Sequence, residues 1–404
     1  MTTIGTHQAT QRLITLSADD RRRHLYVIGQ TGVGKSTLLE NLALRDIAEG
    51  KGIAFIDPHG QSAQKIADNI PVNRTEDVAY IEYDPENPFG LDVFDGVTPE
   101  RKSLLIEHLV SSFRNLWISS WGANLEDLLR CSLYLLLDNP GTSLLDVLRL
   151  LSDSSYRRAL LRNCTNPVVR DFWEKEFEDK SDKQKAEETR STTNKVRQFF
   201  SNPHLCNIIS QPSTINISHL MNEGKILILN LSKGSWGETP ARLIGSLFII
   251  AFAQAAEERA TIPEENRRDF YLYVDEFQNF QNEGFGTILS ESRKMRLSLT
   301  LANQFYAQLP ESIQAAISGN VSTWVIFRVG AKDAQEMAKE IDHGNPKALS
   351  NTANFQAWVR VLEHGLPAGP YPIDAIPPYA VGLNRLAAVR NRSRARHTRP
   401  VNPT

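Results

Sequence analysis

Eight consecutive residues, Gly29-Gln30-Thr31-Gly32-Val33-Gly34-Lys35-Ser36, satisfy the pattern GxxxxGK[ST]. Glycines at this spacing let backbone N–H groups turn inward around phosphate. Lys35 is long enough to reach the β- and γ-phosphates, and the Ser36 hydroxyl suits a Mg²⁺ ligand. The expected helix begins near Lys35, with Thr37 in its first turn, and its positive dipole end adds to an anion site. Residues 29–37 are therefore the expected nucleotide-binding segment.

The run Tyr271-Leu272-Tyr273-Val274-Asp275-Glu276 reads as a buried strand ending in two acids. Beside a phosphate loop, Asp275 suits the Mg²⁺ shell and Glu276 suits polarisation of an attacking water. Gln304 ends the next strand, LTLANQ, and is a candidate for contact with the γ-phosphate or its water; a cap or sheet-edge hydrogen bond is the plainer alternative. Arg293, Lys294 and Arg296 precede that strand in SESRKMR. Arg293 is the candidate arginine finger for a neighbouring subunit's site, against the alternative of a solvated helix face. Arg328 in VIFRVG is a second candidate, and His59 in IDPHG suits either nucleotide sensing or a turn. Asn194-Lys195 is followed by Val196-Arg197, so the guanine-reading NKxD is missing and ATP is expected over GTP.

These residues need strands and helices to position them. LYVIG (25–29), GIAFID (52–57) and VAYIEY (78–83) read as strands, with a helix over 35–49. From 98 to 214 the apolar residues recur at three and four apart, the helical period. Strands return at 225–231, 270–276, 297–304, 323–329 and 358–364, with helices at 239–260 and 285–296. Strands alternating with helices imply an α/β fold with a mainly parallel central sheet, here interrupted by an all-α domain. The expected divisions are 1–97, 98–214, 215–380 and a basic, disordered tail at 381–404.

Composition sets outer limits. The chain has 404 residues, 41% hydrophobic and 23% charged, as in globular proteins, and a net charge of -2 excludes a polycation. Contact with nucleic acid must come from local basic surface. Arg385, Arg390, Arg392, Arg394, Arg396 and Arg399 crowd the C-terminus, either to meet DNA phosphate or simply as a solvated tail. Cys131, Cys164 and Cys206 form no CxxC pair, so neither zinc nor a disulfide framework is suggested, which fits a cytoplasmic setting. The N-terminal residues lack the layout of a signal peptide. The longest apolar stretch, 243–256, is short for a bilayer and is expected to be a buried helix.

The motifs, in this order, resemble the coupling ATPases of type IV secretion and conjugation, within the FtsK/HerA class of DNA pumps. The likeness rests on DRRRHLYVIGQTGVGKSTLL, GIAFIDPHG, YLYVDEFQNF, SESRKMRLSLTLANQ, GNVSTWVIFRVGAKDA and WVRVLEHGLPAGPYP. It implies a RecA-like nucleotide domain interrupted by a helical one, ATP and Mg²⁺ as cofactors, and a homo-hexameric ring that threads DNA. It also implies relaxase or secretion-channel proteins as partners, and recruitment to the inner face of the membrane. Coupling proteins usually begin with transmembrane helices and this chain does not, so a separate membrane subunit is a further expected partner. Two other readings stay open: a HerA-like motor in repair or anti-phage defence, and a nucleotide-gated docking module for cargo.

Overall fold

The computed structural model describes residues 1–280, 283–363, 365–379 and 381–401. The chain forms two compact units.

The first unit comprises 1–83, 216–237 and 251–395. It is built on eleven strands: β1 (Thr2–His7), β2 (Leu13–Leu16), β3 (Leu25–Ile28), β4 (Gly52–Asp57), β5 (Val78–Ile81), β6 (Ile226–Asn230), β7 (Phe270–Val274), β8 (Leu297–Asn303), β9 (Thr323–Ile326), β10 (Gln356–Glu363) and β11 (Leu366–Ala375). Their order across the sheet is β2-β1-β11-β10-β9-β3-β8-β7-β4-β6-β5. From β9 to β5 every pairing is parallel, and every residue of those strands is buried. A parallel sheet is covered on both faces, so its strands are apolar throughout. The other four strands add an antiparallel extension, in which β10 alternates between buried and half-buried residues.

The register matters for function. Ile28 stands level with Asn303 on one side and Ile326 on the other, and Val274 stands level with Ile56. The C-terminal ends of β3, β4, β7 and β8 therefore open along one edge, where α/β sheets hold their ligands.

The structure departs from the sequence reading in several places. β1, β2 and β11 were not expected. Gly5 and a shift in register interrupt the first pairing, and Pro367, Pro370 and Pro372 make β11 read as irregular chain. Proline is tolerated there because β1 pairs only with residues 373–375, so the prolines stand where β11 has β10 alone beside it. The helix expected over 285–296 runs instead as Glu283–Glu291 and breaks into a turn, with Arg296 at φ 55. His364, read as the end of the last strand, lies outside the described residues.

The basic tail is the clearest correction. Residues Leu386–His397 form a helix, with Val389 and Ser393 fully buried. The Ser393 hydroxyl accepts from Tyr80 N–H at 2.7 Å and donates to Tyr80 C=O at 2.9 Å. Arg390 pairs with Glu82, and Arg392 with Glu76. The helix thus lies along the edge strand β5 and meets its unpaired backbone groups.

The second unit comprises 84–215, 238–250 and 396–404, and its regular structure is helical among the described residues. It starts earlier than the helical periodicity because Phe89, Leu91 and Val93 are buried, with Leu91 N–H on Ile208 C=O. Its core is mainly leucine with two aromatic clusters: Trp173, Phe172 and Phe177 pack edge-on or tilted, and Phe113, Trp117 and Phe199 form the second. The helix Asp182–Phe200 starts at a capping box between Ser181 and Gln184. Helix Glu238–Glu258 gives residues 238–250 to this unit and the rest to the first. Extended to Thr261, it is long and apolar enough to cross a membrane, yet 72% of its apolar window is buried inside the protein.

Candidate nucleotide site

A cleft of about 570 Å³ opens at the C-terminal edge of the first unit's sheet. One wall is the loop between β3 and the helix Lys35–Ala48. Gly32 has φ 79 and Gly34 φ 115, backbone that side chains disfavour, and this turns the loop's N–H groups to one side. Gly34, the N-cap, offers no side-chain cap, so the helix's first N–H groups are left for an external acceptor. Gly29 has no room for a Cβ, which would stand 2.6 Å from Phe327 Cβ.

Lys35 is 5% exposed, and its ammonium donates to Gly29 C=O at 2.6 Å and Gln30 C=O at 3.0 Å. Burial lowers its pKa, with Glu276 and Asp275 opposing the shift. The Ser36 hydroxyl donates to Asp275 Oδ2 at 2.9 Å. Asp275 Oδ1 accepts the N–H of Glu276. Burial first, then the charges of Glu276 and Asp57, push the Asp275 carboxyl up to about 6. The site therefore holds more negative charge than it neutralises. No group of three or more His, Cys, Asp or Glu is placed to hold a metal among the described residues. One hydroxyl backed by one carboxylate is a donor set that fits Mg²⁺, which keeps most of its waters and takes phosphate oxygens as ligands.

Glu276 takes a left-handed backbone, φ 46, just past β7. Such strain in a non-glycine residue is typical of functional positions. Gln304 Nε2 donates to Glu276 Oε1 at 2.8 Å, and Gln278 Nε2 donates to Oε2 at 2.6 Å. The Thr31 hydroxyl donates to Gln304 Oε1 at 3.0 Å. Thr31, Gly32, Gly34, Lys35, Ser36, Thr37, Asp275, Glu276 and Gln304 all line the cleft, and so does His59. Gly29, Gln30 and Val33 do not; the Val33 side chain is buried.

Arg293 is not brought to this cleft. It precedes β8, at the opposite edge of the sheet, half exposed, 3.9 Å from Asp19. Arg328 lies beside the loop instead, its Nε donating to Gln30 Oε1 at 3.1 Å. Glu40, Asp57, Gln61, Ser62 and Phe355 line the cleft without having been read as site residues in the sequence. Asp57 ends β4 and accepts the N–H groups of His59 and Ala63, so it shapes the turn that closes the cleft; its place at a strand end was the available signal. Phe355 gave no signal, because it lies far along the chain between two elements.

The family assignment follows from two matches. A family model described as the central domain of the helicase HerA matches residues 2–248, and one described as the TraM recognition site of TraD and TraG matches 269–353. The chain belongs to the HerA central-domain family. Among solved structures, this HerA-family chain is similar to the bacterial conjugative coupling protein TrwBdeltaN70, with a TM-score of 0.66, 15% identity, and 90% and 87% of the two chains covered. TrwB in complex with ADP and Mg²⁺ gives 0.65, 15% identity, and 95% and 96% coverage. VirB4 of Thermoanaerobacter pseudethanolicus gives 0.60, 14% identity, and 94% and 98% coverage. At such identities the likeness is one of fold: the RecA-like α/β fold with a helical insertion. No curated protein sequence matches the chain.

Proposed function

We propose that this protein is a Mg²⁺-dependent ATPase that works as a homo-hexameric ring and moves DNA, as a coupling-protein motor for a secretion or conjugation channel. The observation that carries the reading is the chain of contacts Thr31–Gln304–Glu276, beside Ser36–Asp275, in one cleft at the phosphate loop. The loop N–H groups and Lys35 bind the phosphates. Ser36, backed by Asp275, would hold Mg²⁺, which neutralises charge on the phosphate oxygens. Glu276, held by two amide donors, takes a proton from the attacking water. Gln304 ties that carboxylate to the loop, so the water-polarising group and the phosphate cradle move together.

Ring assembly is supported by the position of Arg293, which is remote from its own cleft and half exposed. It would complete a neighbour's site. The match to a TraM recognition site over 269–353 supports a protein partner on the same unit. The HerA match over 2–248 equally suits a motor paired with a nuclease in repair or defence.

The test is ATP turnover by purified protein with Mg²⁺, with and without DNA. DNA-stimulated turnover that rises with protein concentration and is lost in Lys35→Ala supports the motor. Turnover indifferent to DNA would leave a docking module as the better reading.

A further inference from the structure

We propose that Phe355 is the nucleobase platform of this cleft, with its ring stacking on the base of the bound nucleotide. The proposal deepens the reading of the cleft as an ATP site and rests on it.

Phe355 immediately precedes β10 and lines the same cleft as Lys35 and Glu276. Among the described lining residues it is the sole phenylalanine, tyrosine or tryptophan, and His59 carries the one other ring. Its backbone is fixed at both ends: its N–H donates to Val33 C=O at 2.8 Å, and its C=O accepts from Ala375 N–H at 2.8 Å. One bond ties it to the phosphate loop and the other to β11. The backbone that carries the ring is therefore held in place, yet Phe355 is 52% exposed. Its backbone sits at φ 61, a conformation unfavourable for a bulky side chain. Strain and an open aromatic face coincide at a binding cleft, where such features tend to collect.

The topology gives the direction. The acids follow β7 and Gln304 follows β8, on one side of β3; Phe355 comes in from β10, beyond β9 on the other side. A triphosphate with its γ end at Glu276 sends its nucleoside end away from β8, toward Phe355. The ring also abuts the loop, since a Cβ on Gly34 would stand 3.0 Å from Phe355 Cδ1. A π-face reads aromatic area rather than a hydrogen-bond pattern, so the platform favours purine over pyrimidine nucleotides.

Base-bearing and base-free ligands separate a platform from a mere latch on the loop. Equilibrium binding of ATP, CTP and inorganic tripolyphosphate, each with Mg²⁺, would be measured for wild type, Phe355→Ala, Phe355→Gly and Phe355→Tyr. Loss of the stacking partner should weaken ATP binding by about 10-fold or more in the Ala variant, weaken CTP less, and leave tripolyphosphate within about twofold of wild type. Tyr should restore ATP binding. The Gly variant relieves the positive φ and should bind ATP as weakly as Ala, which separates a folding defect from a lost contact. Equal loss of ATP and tripolyphosphate would make the ring a loop latch and overturn the proposal, as would unchanged ATP binding. A wild-type protein that binds neither ligand would sink the ATP-site reading, and the platform with it. Lys35→Ala, which should lose both ligands, reports on that reading alone.

Discussion

Gln304 reaches Glu276 Oε1 with its amide nitrogen at 2.8 Å while its oxygen accepts the Thr31 hydroxyl at 3.0 Å. One side chain thus spans from the end of β7 to the phosphate loop. A shift of the loop would therefore be passed through Gln304 to the Glu276 carboxylate. Gln304→Ala removes both bonds and leaves Glu276 to Gln278 alone. Turnover should fall by about 10- to 10²-fold, a mispositioned base, while ATP affinity changes by only a few fold. Steady-state turnover and equilibrium binding on one preparation check this; a large loss of affinity would place Gln304 in binding instead.

Glu276→Gln keeps the side-chain size and removes the charge. ATP should still bind, and hydrolysis should slow by about 10²-fold or more. Lys35→Ala, by contrast, should lose hydrolysis and weaken binding with the fold intact. The pair of variants distinguishes phosphate binding from water activation. Failure of the Gln variant to bind ATP would reverse the roles assigned to the two acids.

How much of this was legible in the sequence follows from locality. The phosphate loop and the two acids each sit in one short segment, so spacing alone exposes them. The seven strands of the parallel part of the sheet were legible because they are buried and apolar on both faces. β11 was hidden by Gly369 and its prolines, and β1 by TTIGTH, in which Ile4 is the one large apolar residue. Phe355 was invisible, because what delivers it to the loop is a backbone bond to Val33, distant in sequence. The arginine-rich tail misled because composition records cations without their partners; Glu76 and Glu82 are the acids that fix Arg392 and Arg390.

A buried ion pair stiffens the sheet below the site. Arg21 donates to Asp46 Oδ1 at 2.7 Å and to the Tyr273 hydroxyl at 2.7 Å, and both charged residues are at most 3% exposed. Burial alone would raise the Asp46 carboxyl, but Arg21 and Lys51 outweigh it and hold it below the usual range. Asp46→Leu leaves a buried guanidinium short of its counter-charge and should cost about 3–5 kcal/mol of stability. Arg21→Met combined with Asp46→Leu should recover much of that loss. Urea unfolding of the two variants tests this, and equal destabilisation would show that the pair's worth is not electrostatic.

Buried histidines give the stability a pH dependence, His24 and His108 among them. His24 and His108 are each 1% exposed, and burial pushes both down to about 4. His24 Nδ1 accepts the Leu299 N–H, so its proton is on Nε2, directed at Leu289 C=O. His108 has no hydrogen-bond partner among the described residues. The unfolded chain protonates near 6.5 and the folded chain only near 4, so stability is full above about pH 6.5 and falls as pH drops toward 4. Each histidine accounts for a loss of about 3 kcal/mol at the bottom of that window. Urea midpoints measured from pH 7.5 to 4.5 should fall, and His108→Leu should flatten the slope. An unchanged slope in that variant would show that His108 is not protonated on unfolding.

The helix Leu386–His397 holds its arginines against acids of the sheet's own border while Ser393 occupies the backbone of Tyr80. A polyanion drawn to this helix would have to displace Glu76 and Glu82 from their guanidiniums. Success would peel the helix from β5 and bare a strand edge, the kind of surface that templates strand-to-strand aggregation. Of the tail's arginines, Arg390 and Arg392 are thus neutralised within the fold, and the helix that carries them stands guard over the edge of β5. Turbidity that rises with added polyanion would be the signature of a dislodged guard, and clear solutions with bound polyanion would mean that the helix stays in place.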